Sequence, residues 1–204
     1  MNYIDRTAFI HPDAKIGKNN YFGHSVWIGP GGIIGDNNYF TSFISIGKPA
    51  EHRDYFHYEG PVLIGHGNMV REFVTINGGT EGCTQMGNNC VMLRGSHLSH
   101  DSILEDHVNV SCNVMIGGES YIMRGANLGL SSMLHQRTVV GSYAMIGMGA
   151  IVTKTLNVLP GYVYAGNPAK ELKLNDIGLK RNGITDTMLN HETIRYQQIL
   201  ESQG

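Results

Sequence analysis

Within the stretch HLSHDS, His97, His100 and Asp101 fall inside five positions. An imidazole beside a carboxylate can take a proton from an attacking hydroxyl or amine. Two histidines at this spacing could instead begin a metal site, or lie as polar residues on a solvated face. Further along, Gly118 and Glu119 are followed by His135 and Gln136. A glycine N–H aimed at a reacting centre can stabilise an oxyanion. Whether these groups meet depends on the elements that carry them.

Those elements are set by a repeat. Large apolar residues fall at Ile10, Ile16, Phe22, Ile28, Ile34, Phe40 and Ile46, six apart each time. The period returns at Ile64, Val70 and Ile76, and runs unbroken from Met86 to Val152. Six matches neither a helix nor a simple alternating strand. It suits a short strand and a tight turn, with one apolar side chain inward per repeat. A small residue often follows, as at Gly17, Gly23, Gly29 and Gly35, and is expected where the backbone bends. Three repeats would close a triangular coil of about 18 residues, stacked at about 4.8 Å. This is the hexapeptide repeat of left-handed parallel β-helices, an exception to the right-handed crossover rule. The fold class predicted is an all-β solenoid with a short C-terminal helical extension.

Two stretches break the period, residues 48–61 and 77–85, and loops expelled from a solenoid gather on a binding face. The β-helix is expected over 1–165 and the extension over 166–204. The segment GNPAKELKLNDIGLKRNG reads as extended and turn-rich. Thr185 or Asp186 then caps a short helix with Leu189, Thr193, Tyr196 and Leu200 on one face. Proteins of this fold assemble as trimers with ligand sites between subunits, so a homotrimer is expected. On an 18-residue coil, His100, Gly118 and Gln136 stack in one column, flanked by Glu119 and His135.

The bulk properties narrow the partners. A formal net charge of −2 over 204 residues argues against nucleic acid or an anionic membrane as partner. No apolar run reaches the roughly 18 residues of a bilayer span, and no secretory signal is apparent. Cys83, Cys90 and Cys112 are odd in number and form no C-x-x-C pair. Reduced thiols in a cytoplasmic protein are therefore expected, with no metal and no bound cofactor.

Several motifs sharpen this. HLSHDS with the later IGG and HQ, together with IHPDAKIG, SIGKPAEHRDYFHYEGP, REFVTINGGT, GNPA and NDIGLKRNG, resembles the UDP-N-acetylglucosamine O-acyltransferase family of lipid A synthesis. By that resemblance His100 is the general base, Asp101 its supporting carboxylate and Gly118 the oxyanion donor. His97 lies in the sugar pocket, and His135 and Gln136 line the substrate site. Asn175 and Arg181 match family positions that contact the nucleotide. Against the family pattern, about one N-terminal coil is missing and the C-terminal helical domain is cut short. Glu119 replaces a histidine, His57 takes the place of a lysine in the first loop, and Asn182 replaces a second arginine. Met148 stands at the position that bounds the acyl chain, which implies a short pocket.

These departures favour transfer of a short or medium acyl group from a thioester, acyl-CoA or acyl carrier protein, to a nucleotide-linked amino sugar for a surface glycan. The acceptor is expected to be the amine or the hydroxyl of that sugar; the departures fit an amine, with Glu119 orienting it or taking its proton. The alternative is 3-O-acylation of UDP-N-acetylglucosamine by a hydroxyacyl carrier protein. A zinc-dependent carbonic anhydrase of the same fold and a non-catalytic binding scaffold are the readings from other classes.

Overall fold

The backbone winds into a solenoid because the six-residue period supplies one inward side chain per side of a triangle. The computed structural model describes residues 1–202. Its strands are mostly two residues long and stack into sheets of ten, eight and seven strands, here called faces I, II and III. Their pairing is parallel except where Tyr162–Ala165 meets Lys170–Leu174 antiparallel at the end of face I. In each short strand the second residue points inward. Face I buries Phe22, Phe40, Val70, Met92, Val110, Leu128 and Ile146, and the other faces contribute matching columns into one continuous core. Neighbouring coils are in register, as in Phe22 against Phe40, whose rings stack at 5.1 Å. Truncating such a residue to alanine costs about 2–5 kcal/mol, because the stack cannot collapse to fill the gap.

The glycines after the inward residues serve a different purpose from the one expected. No left-handed φ occurs at Gly17 or Gly23. A Cβ at Gly17 would instead stand 2.6 Å from the carbonyl oxygen of Gly35 in the next coil, and at Gly23 only 1.7 Å from that of Thr41. The constraint is close approach between coils. The left-handed corner conformation falls two residues later, on Asn19 (φ 57°) and Asn37 (φ 60°), whose short polar side chains tolerate it, but also on bulkier residues such as Phe43 (φ 52°) and Tyr143 (φ 59°).

A buried asparagine ladder ties the early coils together. Asn20 N–H donates to Asn2, Asn38 to Asn20, Asn68 to Asn38 and Cys90 to Asn68, at 2.8–2.9 Å. Chain separation along it is 18 residues for Asn38 to Asn20, 30 for Asn68 to Asn38 and 22 for Cys90 to Asn68. The two longer steps contain the two interruptions, which leave the stack without disturbing its rungs.

The C-terminal segment differs in one respect from its turn-rich prediction: Asp176–Arg181 forms a short helix, α1, with Asn175 as its cap. The longer helix α2, Asp186–Ser202, follows as expected, with Thr185 Oγ1 accepting from Met188 N–H. Tyr196 is fully buried against Met123 and Val139 on face III. Around it, Ser142 and Arg195 bind Glu192, and Arg195 and Tyr121 bind Glu105. Burial alone would raise the Glu105 pKa, but hydrogen bonds from Tyr121, Arg195 and the Arg124 backbone lower it, so the helix is held by an ionised carboxylate.

Candidate active site

His100 and Asp101 occupy the corner between faces II and III, and the second interruption folds over that corner to hold them. Asp101 takes the left-handed corner conformation, φ 57°. Its carboxylate accepts from Thr80 N–H at 3.0 Å, Thr80 Oγ1–H at 2.5 Å and Gly82 N–H at 2.9 Å. Its own N–H donates to the buried Thr84 Oγ1 at 2.9 Å. Burial opposes ionisation of Asp101, but these bonds and the one from His100 outweigh it and lower its pKa. A carboxylate can only accept, so His100 Nδ1 carries the proton and donates to Asp101 Oδ2 at 2.9 Å. The opposite nitrogen, Nε2, keeps its lone pair.

That lone pair lies over Gly118. A Cβ built there would stand 2.6 Å from His100 Nε2, so only glycine lets the imidazole approach the backbone this closely. Gly118 is buried, its carbonyl accepts from Arg137 N–H, and its N–H finds no acceptor among the described residues. A base nitrogen and an N–H with no acceptor among the described residues therefore lie side by side, two groups that can deprotonate a nucleophile and stabilise a tetrahedral oxyanion. The open cleft in front, about 480 Å³, is lined by both interruptions (His52, Tyr55, Thr80) and by His100, Glu119 and Gln136.

The other expected residues are placed unevenly. His97 is close by and only 14% exposed, between Thr75 Oγ1 at 2.7 Å and Glu51 at 3.3 Å. Burial lowers its pKa, helped by nearby His100 and opposed by Glu51. Gln136 lines the cleft, and His135 is exposed beside it, its Nδ1 2.9 Å from the Gln136 carbonyl. Glu119 lines the cleft but is not a free carboxylate, because Arg137 holds both its oxygens at 3.0 Å. His57 is exposed against Phe56 and is not part of the cleft wall. His52 takes that place, its ring 6.5 Å from that of His100. Met148 is 72% exposed on the corner between faces I and II and is not part of the cleft wall. Asn175 is committed to capping α1 and to the Tyr143 carbonyl at 2.9 Å. With exposed Arg181 it sits at the corner between faces III and I. Sequence reasoning missed Thr80, Thr84 and Arg137. Arg137 carried a findable signal, since it lies 18 residues after Glu119 and so stacks on it with opposite charge.

No family model matches the sequence. A curated acyl-[acyl-carrier-protein]–UDP-N-acetylglucosamine O-acyltransferase of Gloeothece citriformis is 31% identical over 143 residues, 69% of this chain and 51% of its own. The Pseudomonas entomophila protein of the same name is 31% identical over 147 residues, 70% of this chain and 55% of its own. The UDP-N-acetylglucosamine acyltransferase of Francisella novicida superposes with a TM-score of 0.84 at 29% identity, covering 95% of this chain and 78% of its own. The chain belongs to the hexapeptide-repeat left-handed β-helix family. This hexapeptide-repeat protein spans about half the length of the curated relatives it matches. The Campylobacter jejuni UDP-N-acetylglucosamine acyltransferase also superposes with a TM-score of 0.84, at 26% identity, over 96% of this chain and 77% of its own.

Proposed function

We propose that this protein transfers an acyl group from a thioester carrier to a hydroxyl of a UDP-N-acetylglucosamine-type nucleotide sugar. The observation that carries the reading is His100 Nε2 set against Gly118, whose N–H is free, while Asp101 is locked as an anion behind Nδ1. Nε2 takes the proton as the sugar hydroxyl attacks the thioester carbonyl. The Gly118 N–H holds the resulting oxyanion. Collapse breaks the C–S bond, and the proton passes from His100 to the departing thiolate.

An oxygen acceptor suits this geometry better than the amine expected from the departures. A neutral amine attacks a thioester with little help, whereas a hydroxyl gains most from a fully oriented base. The carboxylate assigned to an amine, Glu119, is already bound to Arg137. The Gloeothece citriformis and Pseudomonas entomophila relatives are named as O-acyltransferases of acyl-[acyl-carrier-protein], which supports that carrier over acyl-CoA. The residues matched to the nucleotide, Asn175 and Arg181, lie at a different corner from His100. A neighbouring copy would have to supply them, which supports a trimer. So does the apolar seam along the corner between faces I and II, where Phe43, Phe73, Leu130 and Met148 are 44–72% exposed.

Mass spectrometry of products tests the reading directly. The purified protein is offered UDP-N-acetylglucosamine with hydroxyacyl carrier proteins, and in parallel nucleotide-linked amino sugars with acetyl-CoA or short hydroxyacyl-CoAs. Ester product in the first panel alone is expected. Amide product in the second panel alone would overturn the choice of oxygen, and no product in either would remove the acyltransferase reading.

A further inference from the structure

The second interruption does more than wall the cleft. Thr80 presents two donors to one carboxylate, its N–H to both Asp101 oxygens at 3.0 Å and its hydroxyl to Oδ2 at 2.5 Å. Oδ2 is also the oxygen that accepts from His100 Nδ1 at 2.9 Å. The loop is drawn in tightly enough that Gly79 is buried and has no room for a side chain. A Cβ there would lie 2.3 Å from the Gly82 carbonyl oxygen and 2.9 Å from Asp101 Oδ1. Gly82 N–H then fixes Oδ1 from the far side of the same turn. The carboxylate plane is thus set by the loop and not by the solenoid corner that carries Asp101.

We infer that Thr80 is a positioning residue for the proposed transfer: through its hydroxyl on Asp101 Oδ2 it fixes the carboxylate that keeps the His100 proton on Nδ1 and the Nε2 lone pair toward Gly118. The inference rests on the acyltransferase reading for its kinetic consequence, but its structural content does not. Without the hydroxyl, Oδ2 loses a charge-assisted bond. The carboxylate then turns about its bond to Cβ, and the imidazole is free to sample the other tautomer or to swing off Gly118. Although Thr80 lines the cleft, its hydroxyl is engaged by Asp101 and not offered to substrate in this scheme, so losing it affects the chemical step and leaves substrate affinity nearly alone.

The test uses the full chain with Thr80→Val, which keeps shape and N–H but not the hydroxyl, and Thr80→Ser, which keeps the hydroxyl. Thr80→Ala replaces the valine variant if that variant does not fold. Nitrogen-15 NMR of the histidine rings reads the tautomer without any substrate. The wild type and Thr80→Ser are expected to show His100 with an unprotonated Nε2, and Thr80→Val a mixture. In the transfer assay Thr80→Val is expected to lower kcat by about tenfold to a hundredfold with KM within about twofold, and Thr80→Ser to restore kcat to within about threefold. An unchanged His100 tautomer in Thr80→Val overturns the inference, whether or not any transfer is detected. A kcat that falls only in step with lost folded protein also overturns it. If the wild type shows no transfer but the tautomer shifts as described, the acyltransferase reading fails and the positioning role stands.

Discussion

Two corners of the same solenoid treat the same backbone group in opposite ways. At the corner between faces III and I, four N–H groups in successive coils are each capped by a side chain from the next coil. Lys18 N–H donates to Asp36 at 2.6 Å, Asp36 to His66 at 2.9 Å, His66 to Asn88 at 2.8 Å and Asn88 to Asp106 at 2.7 Å. At the corner between faces II and III, the matching residues in successive coils are His100, Gly118 and Gln136, and the cap is missing at Gly118. The side chain below it, His100, folds up over the glycine instead. A capped corner spends its N–H groups on stability. An uncapped one keeps an N–H for something else, and here it lies beside a base. The difference lies only in which side chains occupy a shared backbone geometry.

The largest effect should come from emptying the open corner. His100→Ala is expected to reduce transfer by about 10²–10⁴-fold while the melting temperature stays within a few degrees, measured by product formation and calorimetry side by side. Gly118→Ala should cost about 10²–10³-fold, because the new methyl collides with Nε2 and displaces it from the N–H. Converting the open corner into a capped one is the sharper test. Gln136→Asp places a short carboxylate one coil above Gly118, as Asp106 stands above Asn88. Activity is expected to fall by at least about tenfold, with unfolding in urea shifted to equal or higher denaturant. The reverse change at the capped corner, Asp106→Ala, should lose about 1–3 kcal/mol of stability by orphaning the Asn88 N–H and leave turnover within about twofold. The smallest effect concerns pH. Burial holds the His97 pKa below its usual 6.5. The unfolded chain therefore binds this proton more readily, and the associated stability is present above pH 6.5 and lost as pH falls toward the lowered folded value. Denaturant titrations from pH 7.5 to 5 should show that loss, and His97→Gln should flatten it.

Much of this was open to reading from residue spacing, because a solenoid repeats one local decision many times. The six-residue period places Leu98, Ile116 and Leu134 inside, and from there His100, Gly118 and Gln136 follow by counting. α2 was found because its apolar residues share one face and Thr185 precedes them. The interruptions were not readable in that way. Once residues 48–61 leave the repeat, nothing periodic says that His52 turns toward His100 while His57 turns away. The bonds from Thr80 to Asp101 likewise join residues 21 apart through a turn whose path depends on packing. Glu119 shows the hazard of reading a carboxylate alone, since its partner Arg137 sits one coil away. Asn175, inside a family motif, also caps the start of α1, a local role that the motif alone does not announce.

The asparagine ladder has a consequence for how such a chain can change. Its rungs meet across chain separations of 18, 30 and 22 residues with the same bond lengths, so the stack does not register how much chain leaves and returns between rungs. Because loop closure grows costly only slowly with length, the first interruption can be lengthened, shortened or exchanged without moving the His100 column, and the second can vary wherever Thr80, Gly82 and Thr84 keep their bonds to Asp101. The molecule is in that sense a ruler with replaceable attachments: new substrates can be accommodated at the two breaks while the graduations stay where they are.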